Sequence, residues 1–170
     1  MHAYKFIYHG RKKISKGDLL FSHKFRFKTR HKLTYIVDVE EYRYEVFVLK
    51  FFIQSHKYSA KKYSLLSGKN DAFKVLSTCV MIIHHVFNQI NNNASFGFIG
   101  TQLKDESQNN TKRFRVYQKI AKKYFSPETF DHNFNMENSS YLLLNRNSSH
   151  PDLKSKAEEM FNRAYSGLIN

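Results

Sequence analysis

The chain reads as an α+β fold in which an N-terminal antiparallel meander forms a mixed sheet with about three helices packed on it. Three observations predict this. Up to residue 54, apolar and polar side chains alternate with the two-residue period of strands. From residue 71 the apolar positions recur at helical spacing in three separate stretches. Two apolar runs of strand length, at 95–101 and 139–145, stand between those stretches. The resulting order is ββββ-α-β-α-β-α, the pattern of helices laid on one sheet.

Taken in order, Tyr4–Tyr8 is a short strand, and Gly10-Arg-Lys-Lys is a basic turn. Leu19–Lys28 is the second strand. Leu33–Val39 is the third, with Leu33, Tyr35, Val37 and Val39 on one face, and the Val- and Phe-rich segment Tyr42–Gln54 is the fourth. The short polar gaps between them suit hairpins. After the polar segment Ser55–Ser67, Asp71 caps a helix running to about Ile90. Its apolar positions cover most of its circumference, leaving a polar strip of Lys74, Ser77, Thr78, His84, His85 and Asn88, so it should be largely buried. Ser95–Thr101 is a strand, Gln102–Asn110 a loop, and Thr111–Phe125 a helix. Ser139–Asn145 is apolar enough to lie inside the sheet. Pro151 and Asp152 open a last helix, amphipathic through Leu153, Ala157, Met160, Phe161, Ala164 and Leu168.

The 170 residues fit one domain, 1–170, built from a meander (1–54), a buried helix, strand and basic helix (71–125), and a strand with a C-terminal helix (139–170). With 16 Phe and 11 Tyr, the chain has the material for a packed core rather than disorder. Nothing resembles a signal peptide, and the longest apolar stretch, Val75–Phe87, is too short to span a bilayer. The lone Cys79 excludes an internal disulfide and fits a reducing compartment, so a cytoplasmic location is expected.

The net charge of +14 is uneven. Residues 1–62 hold 15 Lys/Arg against 5 Asp/Glu, residues 63–125 hold 9 against 3, and residues 126–170 hold 4 against 6. An asymmetric basic surface suits nucleic acid or anionic lipid; an AT-rich genome is the alternative source of the lysine excess. Two arrays carry the charge. In Phe21–Arg30, Lys24, Arg26, Lys28 and Arg30 share one parity while Phe21, His23, Phe25 and Phe27 share the other. A strand therefore lines its cations up on one face. In the helix from Thr111, the residues Lys112, Arg115, Lys119 and Lys122 fall on one side, with no acid among them. Arg113 joins Lys112 at the helix start, whose free N–H groups suit either a phosphate or an ordinary cap. Tyr42, Tyr44, Tyr58 and Tyr63 offer rings for base stacking, or else core packing.

Signals of catalysis are few. His84 and His85 are adjacent and diverge by about 100° on a helix, which does not make a metal pair. No other His or Cys spacing suits a metal, and Cys79 reads as core packing. Asp105-Glu106 is an acidic loop, and Gly97 and Gly100 mark a bulge or a close backbone approach.

Phe73-Lys-Val-Leu-Ser-Thr78, Ser95-Phe-Gly-Phe-Ile-Gly100 and Asn110-Thr-Lys-Arg-Phe-Arg-Val-Tyr117, in this order, resemble a group of small uncharacterised bacterial proteins over residues 43–146. That resemblance implies an α+β fold and no particular activity. The strand–loop–helix from Ser95 to Phe125 also resembles the end of a GNAT-type acetyltransferase. In that family a tyrosine-bearing helix follows a strand beside the acetyl-CoA cleft. The resemblance implies Tyr117 as the catalytic acid and acetyl-CoA as the cofactor. The family's Gly-rich phosphate loop is replaced here by Leu65-Leu-Ser-Gly-Lys-Asn-Asp-Ala, with one glycine, and Tyr124-Phe125 stands in place of Gly-Phe.

The residues thus point first to a phosphate-directed nucleic-acid-binding protein without evident catalysis, cofactor or metal. Lys24, Arg26, Lys28, Arg30, Lys112, Arg113, Arg115, Lys119 and Lys122 would form its surface. A GNAT-like acyltransferase is the alternative. A third reading is a toxin–antitoxin or phage-defence module that docks an acidic protein partner.

Overall fold

The structure, a computed structural model, describes residues 2–63, 67–103 and 105–165. Among these residues seven strands form one mixed sheet: β1 (Phe6–Lys16), β2 (Leu19–Lys28), β3 (Thr34–Tyr42), β4 (Val46–Ile53), β5 (Ser95–Ile99), β6 (Phe130–Asn135) and β7 (Ser140–Asn145). Their order is β1-β2-β3-β4-β5-β7-β6, and β4 runs parallel to β5. Helices α1 (Ala72–His85), α2 (Lys112–Tyr124) and α3 (Leu153–Ala164) complete the α+β fold that the periodicities predict. Leu65 and Leu66 of the expected phosphate loop, and Leu168 of the last amphipathic stretch, lie outside the described residues. No helix among the described residues is long and apolar enough to cross a membrane.

The chain packs as two compact units. The first unit comprises Met1–Glu41 and Leu49–Asn92. Its β1 does not stop at Tyr8 but continues through the basic run expected to turn. The ladder absorbs that run with a bulge between Tyr8 and Arg11, where Gly10 takes a φ of +91°, so the turn-forming glycine bends the strand instead of ending it. Cross-strand partners face the same side of a sheet, so Phe6 with Phe27 and Tyr8 with Phe25 point inward, while Ile7 with Arg26 and Lys12 with Ser22 point outward.

Helix α1 packs on the inward side, where His85 meets the rings of Phe6, Tyr8 and Phe25. Its rotation differs from the expected one. Ser77 and Thr78 are buried, and Thr78 Oγ1 accepts from the Tyr4 N–H at 2.8 Å while donating to the Lys74 carbonyl. Phe73, the first residue of the motif Phe73-Lys-Val-Leu-Ser-Thr78, is 64% exposed. A threonine hydroxyl that pairs an edge backbone group satisfies that group and can be buried in place of a larger side chain. The helix closes in a π turn, with Asn91 N–H donating to the Val86 carbonyl at 2.8 Å.

The second unit comprises Tyr42–Val48 and Asn93–Asn170. Here β4 contributes Val46–Val48, paired with Ser95–Gly97 of β5. Strand β6 was not foreseen: Phe-Asp-His-Asn-Phe-Asn carries only two apolar side chains, and its pairing along β7 over six residues defines it. Two glycines set the helix positions. A Cβ on Gly97 would stand 2.7 Å from the Phe161 ring of α3, and one on Gly100 would stand 2.3 Å from the Phe114 backbone nitrogen of α2. The close approach expected of these glycines is therefore to the chain's own helices.

Candidate functional site

In the first unit β2 delivers the alternation its sequence contains. His23, Phe25 and Phe27 are buried, whereas Lys24, Arg26 and Lys28 are exposed in a row on the opposite face. Neighbouring strands bring further groups to that face. The bulge in β1 sets Lys12 opposite Ser22, one residue pair from Lys24. Strand β3 buries Val37 and Val39 inward and turns Asp38 and Glu40 outward. In β4, Lys50 forms an ion pair with Glu40.

These strands, with Tyr63 from the segment after β4, enclose a cleft of about 560 Å³ lined on one side by Lys12, Ile14 and Leu19 and on the other by Asp38 and Tyr63, with Lys24 between. A cavity of this size falls in the range of small-ligand sites. Tyr63 is held edge-on to Phe52 at 5.6 Å between ring centroids, and the Lys62 ammonium lies over both rings, 5.0 Å from the Tyr63 centroid and 4.3 Å from that of Phe52.

Electrostatics in the cleft are divided. Burial raises the Asp38 carboxyl above the usual carboxylate range, and the charges of Lys24 and Lys62 pull it back part of the way. Burial also pushes the Tyr63 phenol up to about 12, reinforced by the charges of Asp38 and Glu40. Asp38 and Glu40 on β3 therefore lie between the basic row of β2 and Lys50 of β4. Lys24, read from sequence as one of a row of phosphate ligands, also serves as the near counter-charge of Asp38.

Behind this face His23 joins three strands. Its Nε2 donates to Glu41 Oε2 at 2.7 Å, which leaves Nδ1 to accept from the Tyr8 hydroxyl at 2.8 Å. A histidine that is 1% exposed is thus satisfied at both nitrogens. Burial raises the Tyr8 phenol above its ordinary value, which favours the protonated hydroxyl.

No protein family, no curated protein and no solved structure matches this chain. The reading of the site therefore stands on its geometry.

The helix array lies in the second unit. Its start is occupied by the chain's own acid: one Glu106 oxygen accepts from the Lys112 N–H at 2.5 Å and the other from the Leu103 N–H at 3.0 Å. These two bonds hold the Glu106 carboxyl below the usual range. Thr111 caps the same end, accepting from the Phe114 N–H at 3.1 Å and donating to the Gly100 carbonyl at 2.6 Å. The cap reading of this helix start holds, and a phosphate there would meet the Glu106 carboxylate. Arg113 reaches Thr101 Oγ1 at 2.8 Å, and Arg115 reaches the Asn110 carbonyl at 2.5 Å. Lys119 and Lys122 are exposed, the latter 6.0 Å from the ring of Phe134. Arg30 sits in the β2–β3 turn with Nε against His31 at 3.2 Å. The two arrays belong to different units.

The other candidates are placed as follows. Tyr117 lies mid-helix in α2 with its ring edge-on to Phe98 at 6.4 Å. Cys79 is buried, and burial drives its thiol far above its ordinary range. Burial lowers His84. Tyr42 is buried with its hydroxyl 3.1 Å from that of Tyr165, so it offers no stacking face, while Tyr58 is 89% exposed with the Lys57 ammonium over its ring. Among the described residues no group of His, Cys, Asp and Glu gathers to hold a metal ion. Asp38, Glu40 and the cleft went unread in the sequence. Their signal was parity: with Val37 and Val39 inward, the two acids had to share a face of the meander.

Proposed function

We propose that the first unit binds nucleic acid through its phosphates, using Lys12, Lys24, Arg26 and Lys28. The observation that carries this reading is the exposed row Lys24, Arg26, Lys28 set on a strand whose alternate residues are fully committed to the core. Such a row is rigid, and its side chains stand about 6.6–6.8 Å apart along the strand, close to the spacing of successive phosphates along one strand. Charge partition supports it: the first unit holds 16 Lys/Arg against 5 Asp/Glu, and the second 12 against 9. Fluorescence anisotropy with labelled single-stranded and duplex oligonucleotides, across a salt series, tests the reading. Binding that weakens steeply with salt is expected. No binding to any DNA or RNA, or equal binding to polyglutamate, would refute it and favour an acidic protein partner.

A second reading rests on one observation: β5 leads through a loop into α2, with Tyr117 at mid-helix, half-buried against Phe98. Under it Tyr117 would supply the proton and acetyl-CoA would be the cofactor. Thermal shift with millimolar acetyl-CoA discriminates: stabilisation supports this reading and no shift removes it.

A further inference from the structure

We propose that the cleft of the first unit seats one unstacked nucleotide of the bound strand and prefers bases that carry an exocyclic amino group. This rests on the nucleic-acid reading above and names what the face does beyond holding phosphates. The cleft of about 560 Å³ suits a group the size of a nucleotide. Its walls have three different chemistries. Lys12 and Lys24 stand on adjacent strands, on the same side, at its basic edge, where a phosphate is held by both. Ile14 and Leu19 on the β1–β2 side and Tyr63 on the β4 side are the apolar and aromatic surfaces a base lies against. Asp38 lines the cleft between these walls and, while ionised, offers acceptors alone.

The position of Asp38 is what points to a base. A carboxylate beside phosphate ligands repels the polyanion they attract, and its partial burial disfavours its own charge. Glu40 on the same strand face is tied to Lys50, and Asp38 lines the cleft together with Lys24. Carboxylates read the amino donors of bases, the cytosine N4 group in particular. Thymine and uracil present carbonyl oxygens at the corresponding edge and would meet Asp38 acceptor to acceptor.

Anisotropy titrations of the full chain with labelled dC15, dA15 and dT15 at fixed salt test this. The expected result is binding of dC15 and dA15 about five- to tenfold tighter than dT15. Asp38→Asn should collapse that ratio toward one while dT15 binding is unchanged or tighter. Lys28→Ala, on the same exposed row but not among the charges acting on Asp38, should weaken all three alike. Equal affinities for the three oligonucleotides in the parent chain overturn the inference and leave the phosphate reading intact. An unchanged ratio in Asp38→Asn overturns the role of Asp38. Absence of binding to all three overturns both readings together. Circular dichroism of each variant, expected to match the parent, separates these outcomes from misfolding.

Discussion

Removing the outer half of the strand array should change salt dependence in a predictable amount. Arg26 and Lys28 are exposed on β2, and the buried side of that strand, Phe25 and Phe27, is untouched by the double substitution Arg26→Ala/Lys28→Ala. Exposed substitutions of this kind alter stability by no more than about 0.5 kcal/mol. Each phosphate contact on a single strand contributes about −0.7 to the slope of log affinity against log salt. Four contacts through Lys12, Lys24, Arg26 and Lys28 give a slope of about −2.8, so a fourfold rise in salt weakens binding about 50-fold. The double variant keeps two contacts, a slope of about −1.4, and about a sevenfold loss over the same range. The assay is anisotropy of a labelled 15-mer at four or five salt concentrations, with thermal melting as the control for folding. An unchanged slope in this variant would refute the placement of the interface on β2. So would a slope that drops only in Lys119→Ala/Lys122→Ala, because that result moves the contacts to α2.

Three further outcomes follow from the packing and the titrating groups. His23→Ala removes both bonds of a fully buried ring and leaves Tyr8 and Glu41 without it; the expected loss is about 3 kcal/mol, read as a lower urea midpoint with an unchanged m-value, and a loss below about 1 kcal/mol would show that the relay adds little to stability. Gly100→Ala drives a Cβ to 2.3 Å from the Phe114 nitrogen, and because backbone must yield it should destabilise by about 3 kcal/mol, where a neutral result would contradict the β5–α2 approach. Asp38 has a folded-state pKa raised by burial, so its unfavourable contribution is absent below the unfolded carboxylate value and grows as pH rises through the folded one; Asp38→Asn should therefore raise the melting temperature at neutral pH and leave it unchanged in acid, and equal shifts at both would mean the carboxylate is not the cause.

The alternation in Phe21–Arg30 made β2 legible in detail, because a two-residue period assigns every side chain to a face without knowledge of the partner strands. The three helices were legible by the same logic at a longer period. What failed was local chemistry that has two physical outcomes. Gly10 in a basic run reads as a turn, yet positive φ serves a bulge as well as a hairpin, and only the pairing with β2 decides between them. Strand β6 lacks a burial pattern because it is the last strand of the sheet, where polar side chains are tolerated along β7. The exposure of Phe73 and burial of Thr78 followed a hydrogen bond to Tyr4, 74 residues away in sequence, which no local window contains.

The regrouping of charge is the step sequence reading could not make. By position along the chain, the segment containing α2 is strongly basic, and its cations look equivalent to those of β2. In the structure they differ in what they are near. Arg113 and Arg115 reach oxygens of the loop that leads into their own helix, and Glu106 takes the helix start that a phosphate would have used. Each guanidinium is thereby anchored to its own loop, with part of its donor set engaged there. On β2 the strand geometry sends each cation straight away from the core, and the charge of Lys24 acts on Asp38. An acid beside that row argues for recognition over mere attraction. A face shaped only to attract polyanions gains nothing from an acid in its cleft, whereas a face that also sorts bases needs an acceptor there.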